Sequence, residues 1–474
     1  MSTLRDKIIA CYQGKNIGGT LGAPYEARNH FLNLAYYDPV PTEPATNDDL
    51  DLQLVWLRHL AEFGFGLTGE QLGRAWLDHI DFHPDEYGTA IANLKKGIMP
   101  PVSGIHNNFF ANALGAAIRS ELWAALFPGQ PEVAAHYAYL DGSVDHGGDG
   151  LLVILFLTIL ESDLFTSGSL NQSLRKAYDA LPESRLKKVI AAVRGCYDAG
   201  TSYENARNLV MAHFHSNNCS DAVMNLGFIM IGLLYGEGDF ERSILYAVNC
   251  GQDTDSTGAT VGAILGIRHG TAGIPRRWLA PIGNVIRMSP FIRDLEAPPT
   301  IEALVEEIEA LSRKSHGLEL PRLPLPLQLP EVHDFSDAVR WRVNGRVVEL
   351  DGFILDVRFL HPDRAADVVL ETEIISPVDR DVRLLTCAAG LNKFYFDGQY
   401  LGQWGALKET PLPAFHRTSG GLCWRLHLKA GRRHHIKLAI YSVDAEIGPI
   451  YCGLADVECE GRHLVDVKWG IPEE

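Results

Sequence analysis

The chain has 474 residues, 46% of them apolar, and a formal net charge of −17. Its length allows more than one hydrophobic core, about three domains by size alone. The acidic balance disfavours nucleic acid and acidic membrane surfaces as partners, because a polyanion is repelled at long range.

Eight cysteines stand without any C-x-x-C pair, which argues against a zinc knuckle or a disulfide framework and for a reducing, cytoplasmic setting. No charged-then-apolar segment opens the chain, so no signal peptide is expected.

Residues 1–320 read as helices almost throughout. "CYQGKNIGGTLGAPYE" carries Gly14, Gly18 and Gly22 at every fourth position, ends at Pro24 and continues to Glu26. An interior glycine costs a helix roughly 1 kcal/mol relative to alanine, so such a stripe predicts that another backbone comes close. "LDLQLVWLRHLAEFG" places Leu52, Val55, Trp56, His59, Leu60 and Phe63 on one face, at the spacing of an amphipathic helix. Asn47, Asp48 and Asp49 stand at its start, where the helix dipole alone favours carboxylates.

In "LDHIDFHPDEYG", His79 and His83 have the spacing of a transition-metal pair, but Pro84 interrupts the helix and a solvated loop is expected. "YLDGSVDHGGDG" puts Asp145 and His146 in a glycine-rich turn, readable as a helix cap or as a substrate contact. The run "LLVILFLTIL", 151–160, is too short to span a bilayer and reads as a buried helix. Similar helical stretches recur at 118–127, 222–234, 240–248 and 301–311, while His213 and His215 lead into an ordinary loop.

"CGQDTDSTGATVG" sets Asp253 and Asp255 two residues apart, followed by Gly258, Gly262 and Gly266. On a regular helix the two carboxylates would point about 200° apart, so both are expected in the turn before the helix, with Ser256 and Thr257 as caps. A calcium loop would need a glutamate where Ile264 stands. A D-x-D-x-T phosphotransferase start would need a buried strand before Asp253 and an alternating βα pattern, which the surrounding sequence lacks. Two acidic helix starts, at 47–49 and 253–256, form an oxygen-rich set suited to hard divalent cations such as magnesium, shared as a two-metal site.

Beyond the proline-rich "PRLPLPLQLP", helical spacing gives way to alternation. Segments such as "KFYFDGQYLGQW" and "HHIKLAIYS" predict strands, with Asp397-Gly398 as a two-residue hairpin turn. The expected organisation is a mainly α domain over 1–320, a linker over 321–332 and a smaller all-β, jelly-roll-like sandwich over 333–474. Tyr395, Trp404 and Trp424 are core residues or sugar-stacking aromatics, and "AGRRHH" (Arg432, Arg433, His434, His435) is a hairpin rim or an anion contact. Covering an interface in a homo-oligomer is another role open to the sandwich.

Three segments in order, "GKNIGGTLGAPYEAR", "TNDDLDLQLVWL" and "NCGQDTDSTGATVGAILG", make roughly residues 5–290 resemble the ADP-ribosylglycohydrolases, including the dinitrogenase reductase-activating glycohydrolases. The resemblance implies an all-α fold holding two Mg2+ ions, with Mn2+ as a substitute. It implies metal ligands at Asp48, Asp49, Asp253, Asp255 and Ser256, with Asn47 in the place of a threonine ligand. Glu26, Asp48 and Asp255 become the acid-base candidates, and Asn108, Asp145 and His146 the substrate-side candidates. The implied reaction is hydrolysis of an N- or O-linked ribosyl bond in an ADP-ribosylated protein or a smaller glycoside. Gln252 departs from the family's second glycine. A non-nucleotide furanoside as substrate, or a non-catalytic crystallin-like role, are the alternatives.

Overall fold

The computed structural model describes residues 2–333, 335–350, 353–357, 366–407, 410–415, 423–442, 449–459 and 461–472. The chain forms two compact units: Met1–Asp81 with Ala111–Val332, and Phe82–Phe110 with His333–Glu474.

Among the described residues, fifteen α-helices lie between Leu4 and Ser315. In the first unit, the helices Leu4–Gly22 and Thr254–His269 run antiparallel in near backbone contact, because the two glycine stripes face each other. A Cβ added at Gly18 would lie 1.9 Å from the Gly258 carbonyl oxygen, and one at Gly262 would lie 2.1 Å from that of Gly14. The same register brings Gly22 against Thr254 and Gly266 against Ala10. The crowded junction expected from the sequence is therefore the junction of these two stripes.

Beside this pair runs the helix Gly148–Ser167, apolar on every face and buried almost throughout. Its 20 residues satisfy the length and composition of a membrane span, and 89% of its apolar window is buried within the fold. The helix is twice as long as the run legible in the sequence, because Glu161, Ser162 and Asp163 extend it while staying buried. The proline-rich segment is not a free connector: the Leu323 N–H donates to Glu132 O and the Leu327 N–H to Ala180 O, and both leucines are buried.

The second unit is a sandwich of two antiparallel sheets. Its strands are β1 (Val339–Val343), β2 (Arg346–Leu350), β3 (Ile354–Leu355), β4 (Val368–Ile375), β5 (Arg380–Cys387), β6 (Gly390–Phe396), β7 (Gln399–Leu407), β8 (Cys423–Leu428), β9 (Arg433–Tyr441), β10 (Ile450–Asp456) and β11 (Lys468–Trp469). One sheet has the order β2-β1-β4-β9-β6-β7, with β11 also on β4, and the other β3-β10-β5-β8. Trp341, Leu370, Ile436 and Leu438 from the first meet Leu384, Leu428 and Leu454 from the second in one core. Asp397 and Gly398 both take positive φ (49° and 77°), as a type I′ hairpin requires.

Phe82–Phe110, expected within the helical domain, clusters with the sandwich. Its helix Asp85–Lys95 is followed by Lys96, which pairs with Asp337 at 2.7 Å, and His106 reaches the same carboxylate at 3.1 Å. His83, expected in a solvated loop, is 4% exposed and faces Arg462 Nε at 3.3 Å. Its apparent metal partner His79 ends a helix of the first unit and meets Arg293 O instead.

His463 is buried between the rings of Phe353 and Phe415. Burial, with Lys96 and His83 adding to it, pushes its pKa down to about 3. The unfolded chain binds this proton near pH 6.5 and the folded chain does not, so stability is complete above about pH 6.5 and is lost as pH falls. Cooling of the thermal midpoint between pH 7 and pH 5, worth roughly 2 kcal/mol, is expected, and His463→Phe should flatten it. Identical pH profiles for the two proteins would assign the effect elsewhere.

Candidate active site

The site forms where the starts of two helices meet the end of a third. Asn47 is the N-cap of helix Asp48–Phe63: its Oδ1 accepts the Asp49 N–H at 2.9 Å. Asp48 and Asp49 therefore occupy the first turn, as expected. Asp253 is the N-cap position of the helix Thr254–His269 (φ −85°, ψ 74°), and Asp255 is already helical. The sequence predicts both in the preceding turn with Ser256 and Thr257 as caps, whereas the cap position falls on Asp253. One non-helical residue suffices to break the 100° step, so Asp253 and Asp255 converge closely enough to perturb each other's ionisation.

Glu26 follows the glycine helix. Reciprocal backbone pairing delivers its segment to the aspartates: Ala27 N–H donates to Gln252 O at 2.9 Å, and Gln252 N–H to Arg28 O at 2.7 Å. Gln252 has φ 68°, a left-handed conformation that explains why the family's glycine suits this position.

Asp49 and Asp253 are buried, 2% and 5% exposed, with Ser256 beside them at 6%. Asp48, Asp255 and Asn47 are half-buried and Glu26 is exposed. The Ser256 hydroxyl donates to Asp49 Oδ1 at 3.5 Å, and the Asn47 amide donates to Asp255 Oδ2 at 3.4 Å. Thus Asn47, a metal ligand by the family resemblance, uses its oxygen here as a cap and turns its N–H toward the carboxylates.

Electrostatically the cluster is unbalanced. Burial raises the Asp253 pKa to about 7, and Glu26 and Asp49 add to it. Burial likewise raises Asp255 well above the carboxylate range, reinforced by Asp253, Glu26 and Asp48. Asp49 is raised by burial and lowered by Lys15. Asp49 Oδ2 and Asp255 Oδ1 are buried oxygens that accept no hydrogen bond. Among the described residues, no three His, Cys, Asp or Glu groups already converge as a finished metal cage.

The substrate-side candidates lie in other surroundings. Asp145 is fully buried and clamped by Arg119, at 2.7 and 3.0 Å, with His146 Nδ1 at 3.0 Å on the same carboxylate. Arg119 also meets Asp141 at 2.9 Å. Paired with a buried guanidinium, Asp145 is held down at a pKa of about 2, so Asp145 and His146 serve the core and have no surface to offer a substrate. Asn108 belongs to the second unit, where its amide closes a turn with Gly104 O and the Phe110 N–H. On the sandwich, Trp424 packs on Phe394 and over Gly402, whereas Trp404 and Tyr400 are 37% and 49% exposed. His434 and Arg432 both bind Asp397, which makes the basic cluster a hairpin clasp.

Sequence reasoning missed Arg119 and the buried Lys15. A lysine inside a glycine-striped helix is the signal that could have found the latter, since an unpaired ammonium is not buried without a counter-charge.

The family described as ADP-ribosylglycohydrolase matches residues 1–317, the span that supplies every member of the acidic cluster. The chain belongs to the ADP-ribosylglycohydrolase family. It is accordingly a hydrolase of glycosidic bonds, with a C-terminal β domain added to the family's helical domain.

An uncharacterized protein of Archaeoglobus fulgidus is 24% identical over 299 residues, covering 58% of this chain and 91% of that protein. A solved ADP-ribosylglycohydrolase-related protein complex is 20% identical with a TM-score of 0.41, covering 65% of this chain and 96% of the other. A β-glucosidase from Kluyveromyces marxianus in complex with glucose aligns at 16% identity and a TM-score of 0.19, over 24% of this chain and 13% of its own.

Proposed function

We propose that this ADP-ribosylglycohydrolase family member is a magnesium-dependent enzyme that releases ADP-ribose from an N- or O-linked ADP-ribosylated substrate. Two Mg2+ ions, replaceable by Mn2+, would be held by Asp48, Asp49, Asp253, Asp255 and Ser256. The observation that carries this reading is the convergence of Asp49, Asp253 and Asp255, with the buried oxygen Asp255 Oδ1 left without a hydrogen bond amid like charges. Such an arrangement is costly in a bare protein and is relieved by a cation. The donors are all carboxylate or hydroxyl oxygens, the chemistry hard divalent ions prefer. They stand on short side chains whose rotation can complete the set.

When bound, the ions would grip vicinal ribose hydroxyls and lower the pKa of a water. The chain's own groups supply the remaining steps. Glu26 is exposed and Asp255 half-buried at this cluster, and a carboxyl placed there can exchange a proton with substrate or water as the bond breaks. The remaining carboxylates face the positive charge that develops on the sugar as the glycosidic bond breaks. Asn47 keeps Asp255 in register through its amide hydrogen bond. Eight cysteines without a disulfide support a reducing, cytoplasmic site of action.

Turnover of an ADP-ribosylated protein and of small ADP-ribosyl compounds, measured with a chelator and after addition of Mg2+ or Mn2+, tests the reading. Release of ADP-ribose should stop on chelation and return with metal. Hydrolysis confined to an aryl-furanoside panel would shift the substrate to a non-nucleotide glycoside. No turnover of either class would leave a non-catalytic relative.

A further inference from the structure

Lys15 lies on the glycine helix with its side chain 2% exposed. An ammonium has three protons to place. One goes to Glu121 Oε1 and one to Ile118 O, both at 2.9 Å. The nearest further acceptor is Asp49 Oδ2, 3.9 Å from Nζ and without a hydrogen bond of its own. A cavity of about 10 Å3 borders Lys15 and Asp49.

Glu121 is itself fixed: its Oε2 accepts the Gln53 amide at 2.8 Å, and Gln53 Oε1 accepts the Tyr12 hydroxyl at 3.1 Å. The Lys15–Glu121 pair is therefore both immobile and neutral overall. Its influence on the acidic cluster is local and directional, confined to the one carboxylate that its free proton faces.

We propose that Lys15 is a positioning residue for Asp49: it draws Oδ2 into the protein and so presents Oδ1 to the space shared with Ser256 and Asp255. The geometry on the opposite side agrees, since Oδ1 is the oxygen that meets the Ser256 hydroxyl at 3.5 Å. An apolar residue of similar length would fill the same volume without the several kcal/mol cost of burying an ion, so what the lysine adds is orientation. The inference rests on the metal reading above. It goes further by assigning the support of that site to a residue outside the carboxylate motifs.

Calorimetric titration of MgCl2 into the full chain tests it, with circular dichroism and thermal midpoints read in parallel. Lys15→Gln keeps a donor for Glu121 and Ile118 but loses the third proton and the charge. Lys15→Met combined with Glu121→Gln removes both members of the ion pair, so that Glu121 is not left as an unpaired buried charge. Either variant, once shown to be folded, should bind Mg2+ about 10- to 100-fold more weakly, the usual consequence of losing a residue behind a metal ligand. Lys15 acting only through its positive field predicts the opposite sign, because its removal would make the cluster more negative. Equal or tighter Mg2+ binding by a folded variant would overturn the inference while leaving the metal site standing. Absence of Mg2+ binding by the native chain would overturn both.

Discussion

Asp255→Asn is expected to melt at a higher temperature than the native chain in magnesium-free buffer at pH 8, and to lose hydrolysis by about 100- to 10,000-fold. The two effects have one cause. Folding raises the carboxyl pKa values of this cluster, to about 7 for Asp253 and well above the ordinary value for Asp255, through burial first and neighbouring carboxylates second. A carboxyl raised in the folded state binds its proton more tightly there than in the unfolded chain. Stability is therefore fullest below the unfolded value near 3.8 and declines as pH rises through the folded value. Asparagine cannot ionise and escapes that decline.

Magnesium should reverse the order, stabilising the native chain and not the variant, because a ligand that binds only the folded state raises its midpoint. Differential scanning calorimetry at pH 5 and pH 8, with and without Mg2+, reads all four states. A variant that hydrolyses substrate at the native rate would remove Asp255 from the chemistry, and a variant midpoint that changes with pH just as the native midpoint does would remove the electrostatic strain. The trade of stability for activity is what a working site imposes.

Gly18→Ala is expected to destabilise the first unit by about 3 kcal/mol or more, a large share of the roughly 5–15 kcal/mol that holds a typical domain folded. The added methyl would sit 1.9 Å from the Gly258 carbonyl oxygen, and backbone cannot rotate away as a side chain can. Relief requires the two helices to part, which also draws Glu26 away from Asp253. Gly195→Ala provides the contrast. It lies in the helix Arg185–Asp198 with no atom within 4 Å of its added Cβ, and should gain about 0.5–1 kcal/mol. Urea midpoints of the two variants therefore should move in opposite directions. A native-like midpoint for Gly18→Ala would show that the helices do not meet as described.

Much of the site was legible because its elements are local. The glycine stripes state a helix contact by what they leave out, since no soluble helix tolerates that many interior glycines without a backbone against it. Asn47, Asp48 and Asp49 announce a helix start through capping chemistry that needs only neighbouring residues. The hairpin at Asp397-Gly398 depends likewise on two consecutive residues with positive φ.

Other readings failed where the partner is distant in sequence. Asp145 and His146 looked available because nothing nearby in the chain marks Arg119, 26 residues earlier, as their counter-charge. His83 looked solvated because Pro84 ends a helix, and Arg462 lies 379 positions away. The segment Phe82–Phe110 reads as one more helical stretch, and contacts distant in sequence, among them Asp337 shared by Lys96 and His106, show which core it joins.

By itself, then, the sequence determined the family, the helical and strand-forming halves, the glycine-striped helix pair and the acidic groups at two helix starts, because periodicity, capping and turn chemistry act over a few residues. Only the tertiary structure decided that Asp253 caps the helix while Asp255 lies inside it, that the Asn47 amide meets Asp255, and that Lys15 lies 3.9 Å from Asp49. Those outcomes depend on which charges and backbones are brought within a few ångströms of each other, and that is settled by the packing of whole helices.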